Sequence, residues 1–433
     1  MTVASSAVMM DGVEIPAPPL RRFLPVAMRY GLSAAGPLCM SGAHFVAALI
    51  FLRMFSRAEF GLISFMLVIV PFCLSLCGAM IGAPAAIGNA RPQGLSAAEL
   101  ATLMKANLVF AVVVSGLVFA LTVVSGAPVA RAFVFGAYGA VMCLRWFARS
   151  YSYATNHPVR VLLSDILYSA GLLTLLVALL LLHALTPLRG AQGLLVAALL
   201  GFAGFGRTFL RDQFRWTAIG SLRDYGQVWR DLARWSAMGV VLTELTVNAH
   251  AYLVTLLAGP AAFAPLAVGA LLMRPVQLVL TAVPDRERPV MARQLVRGDR
   301  AGARRSVNQF RSVAGAVWLA TVSLSAVLLL WFPHLILKKG YDPSQALLVL
   351  AFYAAITATR TLRTPESVLL QAARQFRALA GASLWSSAVS ITATLLLVVT
   401  VGPVASLAGI LLGEIVMASR IHALSRPVAS GHD

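Results

Sequence analysis

Residues 59–83 read EFGLISFMLVIVPFCLSLCGAMIGA, and no charge follows Glu59 in that stretch. A helix needs roughly twenty apolar residues to cross the hydrocarbon core of a bilayer, so this run is long enough to span one. Similar runs lie on both sides of it. In the first half they fall at 30–52, 102–124, 129–148, 161–184 and 191–210; in the second at 235–257, 265–284, 313–336, 346–362, 378–400 and 404–421. Of the 433 residues, 59% are hydrophobic and only 12% are charged, about half the charged fraction of an ordinary soluble domain. The reading is an all-α integral membrane protein of about twelve transmembrane helices, and a water-soluble fold is excluded.

The formal net charge is +19, and the only lysines are Lys105, Lys338 and Lys339. The arginines stand singly or in small groups between apolar runs, with no continuous basic domain, so nucleic acid is not an expected partner. Short connections such as Ser125–Pro128 and Val401–Pro403 alternate with longer, arginine-rich ones. Following that alternation, 28 of the 35 basic residues fall on one side, among them Arg21, Arg22 and Arg29. The other side holds only Arg53, Arg57, Arg131, Arg189, Lys338 and Lys339, and Arg274 lies inside a span. Positive charge marks the cytoplasmic side, which places both termini there. The first twenty residues lack a basic start followed by an apolar stretch, so no cleavable signal is expected. Cys39, Cys73, Cys77 and Cys143 all sit in apolar runs without metal-ligand companions. They read as small core hydrophobes, and no metal or cofactor is expected.

The connection at 211–234 mixes basic, acidic and aromatic residues, as an interfacial amphipathic helix does. It divides a short tail at 1–29 and a bundle at 30–210 from a second bundle at 235–421 and a tail at 422–433. The halves carry a weak internal repeat. FLRMFSRAEFGLISFML (51–67) and LVTLLAGPAAFAPLAVGALL (253–272) superpose Phe60 on Phe263 and Ser56 on Gly259, and Arg29 then falls near Arg234. Six spans return the chain to its starting side, so the two six-helix bundles are expected to be related by pseudo-twofold symmetry about the membrane normal, with a central cleft.

The stretch Leu52 to Ile87, with Ala58-Glu59-Phe60-Gly61 ahead of an apolar span that closes on Gly82 and Ala86, resembles the first hairpin of polysaccharide flippases. Ala249 to Arg293 resembles their seventh and eighth helices, through Leu257-Ala258-Gly259, Arg274-Pro275 and Pro289 to Arg293. These flippases, of the O-antigen kind, form the oligosaccharidyl-lipid branch of the multidrug/oligosaccharidyl-lipid/polysaccharide exporter superfamily. Many of them carry an acid in the middle of helix seven, where this chain has Asn248 and His250. The resemblance implies transport of an undecaprenyl-pyrophosphate-linked oligosaccharide from the inner to the outer leaflet of a bacterial inner membrane, for surface polysaccharide biosynthesis. Its implied partners are that lipid-linked substrate, membrane lipids and a coupling H+ or Na+.

Guanidinium forks suit a pyrophosphate. Arg274 is the sharpest candidate, because an intramembrane charge is costly and usually faces a cavity; snorkelling to the headgroups is the alternative. Arg145, Arg149, Arg360 and Arg363, at the cytoplasmic ends of spans four and ten, either receive substrate at the inner mouth or anchor their helices. Glu244, Asn248 and Thr255 share one face of span seven. There Asn248 can touch substrate, and Glu244 can carry a coupling proton or make a structural hydrogen bond. His44 and His250 are further coupling candidates or plain helix contacts, while Asp165 and Glu414, placed at span edges or inner turns, rank below them. Gly78, Gly82, Gly201, Gly204 and Gly206 point to close helix approach, and Pro37, Pro71, Pro84 and Pro275 to kinks.

Two rivals stay open. A drug or cation antiporter of the same superfamily would favour acids in the outer half of the cleft. A membrane polysaccharide polymerase or glycosyltransferase would need a reactive outer loop, and the outer connections are short, with only Glu59 and Asp342 as acids.

Overall fold

Serine, glycine and proline punctuate the apolar runs, and several helices of the computed structural model begin or end at them. The structure describes residues 9–10, 13–14, 19–89, 91, 93–155, 157–337, 340–373 and 375–430. Side chains are described from Ala35 to Pro427 within those bounds, except at 235, 245, 246, 285, 286, 289 and 376. Lys338 and Lys339 lie outside the described residues, as do parts of both expected tails. Apart from a two-residue antiparallel pairing of Met9–Met10 with Val13–Glu14, every described element is helical.

Span one is Pro19–Met54, and span two, Arg57–Cys77, runs on through a π turn at Gly78–Gly82 into Ala83–Asn89. Ser56 opens span two through a capping box: its hydroxyl accepts from the Glu59 N–H and its own N–H donates to the Glu59 carboxylate. Ser96 and Glu99 repeat the device at the head of span three, Ala97–Val124. Such boxes satisfy N–H groups that a helix start leaves without partners, so Glu59 is accounted for as a cap. Spans four, five and six are Val129–Ala154, Pro158–Leu181 and Pro187–Ala203. Span six ends earlier than expected because Gly206, at φ 93°, turns the chain by 95° into the helix Arg207–Ile219. Only glycine adopts that backbone readily. The interfacial segment therefore starts at Arg207.

In the second half, span seven (Arg234–Ala258) bends by 65° between Glu244 and Val247. Span eight breaks at Met273 into Pro260–Leu272 and Arg274–Val296, bent by 55°. Spans nine to twelve are Arg300–Trp331, Pro343–Ala372, Phe376–Thr400 and Ser406–Ser430. Among the described residues nine helices are long and apolar enough to cross a membrane, and the count reaches 12 when each of three bent pairs is one span.

The core explains how the halves meet. One hydrophobic cluster joins both, from Phe51, Phe65 and Tyr168 to Phe263, Leu329 and Leu407. At the arginine-rich end it gives way to two separate clusters. One, around Cys77, Leu103, Phe147 and Phe205, belongs to the first bundle; the other, around Val276, Met291, Phe310 and Val368, belongs to the second. The bundles thus share apolar contact at the far end and diverge toward the end bearing the termini. At the far end Gly61 packs on the Pro260 carbonyl. There Arg57 donates to the Ala261 carbonyl at 3.0 Å and to Gln345 at 3.2 Å, and Arg53 donates to the Leu335 carbonyl at 2.9 Å. Valines and leucines such as Val113, Val124, Leu181, Leu319 and Leu324 stay exposed on the outer faces, as a lipid-facing belt requires.

Candidate functional site

Buried charge has to be paired, because an isolated ion in a low-dielectric interior costs several kcal/mol or more. Both bundles meet that demand with two arginines on one acid. In the first, Asp165 of span five accepts from Arg145 at 2.6 Å and from Arg149 at 2.5 Å, both on span four. Arg145 is 1% exposed, and every part of its fork is engaged: Nε donates to Ser164 at 2.9 Å, Nη2 to Asp165, and Nη1 lies 3.3 Å from the Met40 sulfur. Its guanidinium also lies 4.8 Å from the centre of the Tyr168 ring. Span six makes room through Gly201, where a Cβ would come within 2.7 Å of Arg145 Nε. Tyr168 continues the polar chain, meeting Tyr138 at 3.1 Å and His44 of span one at 2.8 Å.

In the second bundle Glu414 of span twelve accepts from Arg360 and from Arg363 of span ten, each at 2.7 Å. Both arginines donate through Nε, so among the described residues their terminal Nη groups make no hydrogen bond. Arg360 borders a cavity of about 250 Å³ together with Asn248, His250, Gln277 and Tyr353. His250 Nε2 meets the Tyr353 hydroxyl at 2.9 Å, and its buried Nδ1 has no partner among the described residues. One carboxylate thus orients two guanidinium groups, and Arg360 is the one that borders the cavity.

Asp165 and Glu414, expected at span edges or inner turns, are buried inside their helices at 0% and 3% exposure and hold the four arginines in place. The four arginines, expected at the cytoplasmic ends of spans four and ten, lie within the helices Val129–Ala154 and Pro343–Ala372 with their side chains mostly buried. A sequence signal for this exists. YGAVMCLR (138–145) and YAAITATR (353–360) share Tyr and Arg seven residues apart, two helical turns along one face. The two acids, by contrast, come from spans that the repeat does not relate.

Arg274 is the first residue after the break in span eight. Among the described residues it makes no hydrogen bond or ion pair. On span seven, Glu244 accepts from Asn248 Nδ2 at 2.9 Å and from the Tyr252 hydroxyl, and has no cationic partner among the described residues. Tyr252, eight residues beyond Glu244, extends the polar stripe and meets Phe65 and Phe72 of span two edge-on. Thr255 is buried with its hydroxyl unpartnered among the described residues. His250 faces span ten instead, so the seventh span presents two distinct polar faces. No group of His, Cys, Asp and Glu suited to a metal ion occurs among the described residues.

Comparison with protein-family models and with curated proteins finds no match. Solved structures do match. An inward-facing multidrug resistance MATE family transporter of the MOP superfamily superposes with a TM-score of 0.66 at 13% identity, covering 90% of this chain and 95% of its own. The lipid II flippase MurJ, in an inward closed conformation, gives 0.68 at 11% identity over 91% of this chain and 87% of its own. An outward-facing MATE transporter gives 0.56 at 12% identity, over 93% and 94%. The chain therefore has the two-bundle fold that these MOP superfamily transporters share.

Proposed function

We propose that this protein moves an undecaprenyl-pyrophosphate-linked oligosaccharide from the inner to the outer leaflet of a bacterial inner membrane by alternating access, for surface polysaccharide assembly. The observation that carries the reading is the Glu414-oriented pair Arg360 and Arg363, whose Nη groups make no hydrogen bond among the described residues, with Arg360 bordering a cavity. Paired forks of this kind suit phosphate oxygens, and Arg274, which has no hydrogen bond or ion pair among the described residues, is a further cation of the same bundle. In this reading the termini are cytoplasmic, so the divergent end faces the cytoplasm, where such a substrate is made. Domains at 30–210 and 235–421 move as the two bundles, joined by the segment 211–234. The contacts of Arg53 and Arg57 across the far end close the outer mouth in this state, and substrate release requires them to part.

Arg145 and Arg149 support the first bundle rather than the substrate. Glu244, His250 and His44 remain the candidates for H+ or Na+ coupling, with Glu244 foremost because it accepts from hydroxyl and amide donors and has no cationic partner among the described residues. That same carboxylate favours a second reading, a cation or drug antiporter. Reconstitution tests both. Wild-type protein in liposomes is expected to move a fluorescent lipid-pyrophosphate glycan between leaflets, and Arg360→Ala with Arg363→Ala to lower the rate at least about tenfold, the effect of losing one charge-assisted contact. Absence of wild-type translocation, together with uptake of cationic drugs that Glu244→Gln abolishes, would favour the antiporter.

A further inference from the structure

Beyond the central cleft, a second polar cavity of about 460 Å³ opens at the arginine-rich end between spans nine, ten and twelve. Its walls carry Arg304, Asn308 and Arg311 from span nine, Glu366 from span ten, and His422 and Arg426 from span twelve. Three guanidinium groups thus face one carboxylate. Glu366 accepts from Arg311 at 2.8 Å and lies 3.2 Å from His422 Nδ1. Arg426 Nη2 lies 3.2 Å from His422 Nε2. Arginine only donates, so Nε2 is the acceptor and His422 is the neutral tautomer that donates from Nδ1 to Glu366. That arrangement uses both carboxylate-side donors and leaves the wall with an excess of positive charge. Arg304 and Asn308 make no hydrogen bond among the described residues, and the buried Arg311 Nε has none either.

Exposed apolar residues follow on the helix faces that carry Glu366 and His422. One turn deeper on the Glu366 face, Leu362 is 57% exposed, and two turns deeper on the His422 face Ile415 is 49% exposed. A cationic polar pocket at the membrane boundary followed by open leucine and isoleucine matches one headgroup phosphate and its acyl chain. A soluble phosphate would gain nothing from that apolar continuation. We propose that this cavity binds the phosphate of an anionic phospholipid from the leaflet on the side of the termini, as a site separate from the cleft and independent of the cargo that the cleft carries.

The test uses the full-length protein in phosphatidylcholine nanodiscs, with and without phosphatidylglycerol. Phosphatidylglycerol is expected to raise the unfolding temperature and to remain bound in native mass spectra. Arg304→Gln combined with Arg426→Gln is expected to lower that retention at least about tenfold, while Arg297→Gln combined with Arg300→Gln, outside the cavity, leaves it unchanged. Arg304→Gln alone, at an exposed position, keeps the measurement possible if the double variant folds poorly, and an intermediate loss is expected for it. Equal retention by all variants, or equal loss in the control pair, overturns the site. Inorganic phosphate raising the unfolding temperature as much as phosphatidylglycerol does would overturn its assignment to a lipid.

Discussion

The two arginine clusters use the same parts to different ends. In the first bundle Asp165 meets the distal nitrogens of Arg145 and Arg149, and Ser164, Met40 and the Tyr168 ring take what remains of Arg145. In the second bundle Glu414 meets only the inner Nε of Arg360 and Arg363. The side chains of those two are 13% and 18% exposed, against 1% for Arg145 and 11% for Arg149. A guanidinium whose outer donors are consumed can stabilise helix packing but has nothing left for a ligand. One held by Nε alone is oriented and still has donors to give. The location of the acid decides the outcome. Asp165, on the neighbouring fifth span, sits level with the ends of the arginines, whereas Glu414, on span twelve, approaches them from behind.

The largest expected effect is on stability. Asp165→Asn strands two buried charges and should cost about 3–5 kcal/mol, read as a lower unfolding temperature in detergent. Glu414→Gln should cost less than half of that, because its arginines are more exposed and Arg360 borders a cavity. Equal losses would erase the distinction between the clusters. Gly201→Ala forces a methyl against Arg145 and should destabilise by about 1–3 kcal/mol, with translocation unchanged in the protein that folds.

Arg360→Lys keeps the charge and removes the fork. It should slow translocation of a lipid-pyrophosphate glycan about tenfold, roughly 1.4 kcal/mol, at an unchanged unfolding temperature, whereas Arg145→Lys should do the reverse. The smallest effect is expected from His44→Phe and His250→Phe. Each removes one tyrosine partner at about 1 kcal/mol. If either histidine carries the coupling proton, the pH dependence of transport should flatten in that variant alone.

Much of the architecture was legible because hydropathy and charge are one-dimensional. A run such as Gly61–Ala83 must lie within the bilayer whatever its neighbours are, and arginines such as Arg286 to Arg311 sort by side without reference to packing. The repeat was partly legible. Phe60 and Phe263 differ by 203 positions but Tyr138 and Tyr353 by 215, so one gap-free offset finds the first pair and misses the second. Candidate residues were legible as types, since ionisable groups inside apolar runs are rare enough to single out. Their partners were not, and Asp165 and Glu414 were accordingly ranked below the arginines that they hold.

By itself the sequence determined a polytopic helical membrane protein, its sidedness as an expectation and a short roster of intramembrane polar residues, because the bilayer imposes those constraints on every segment independently. Only the tertiary structure decided that Asp165 closes one arginine pair while Glu414 presents another, since those contacts join residues 16 to 54 positions apart on different helices. Where a core is shared and where it divides also depends on how helices pack, which no single helix encodes.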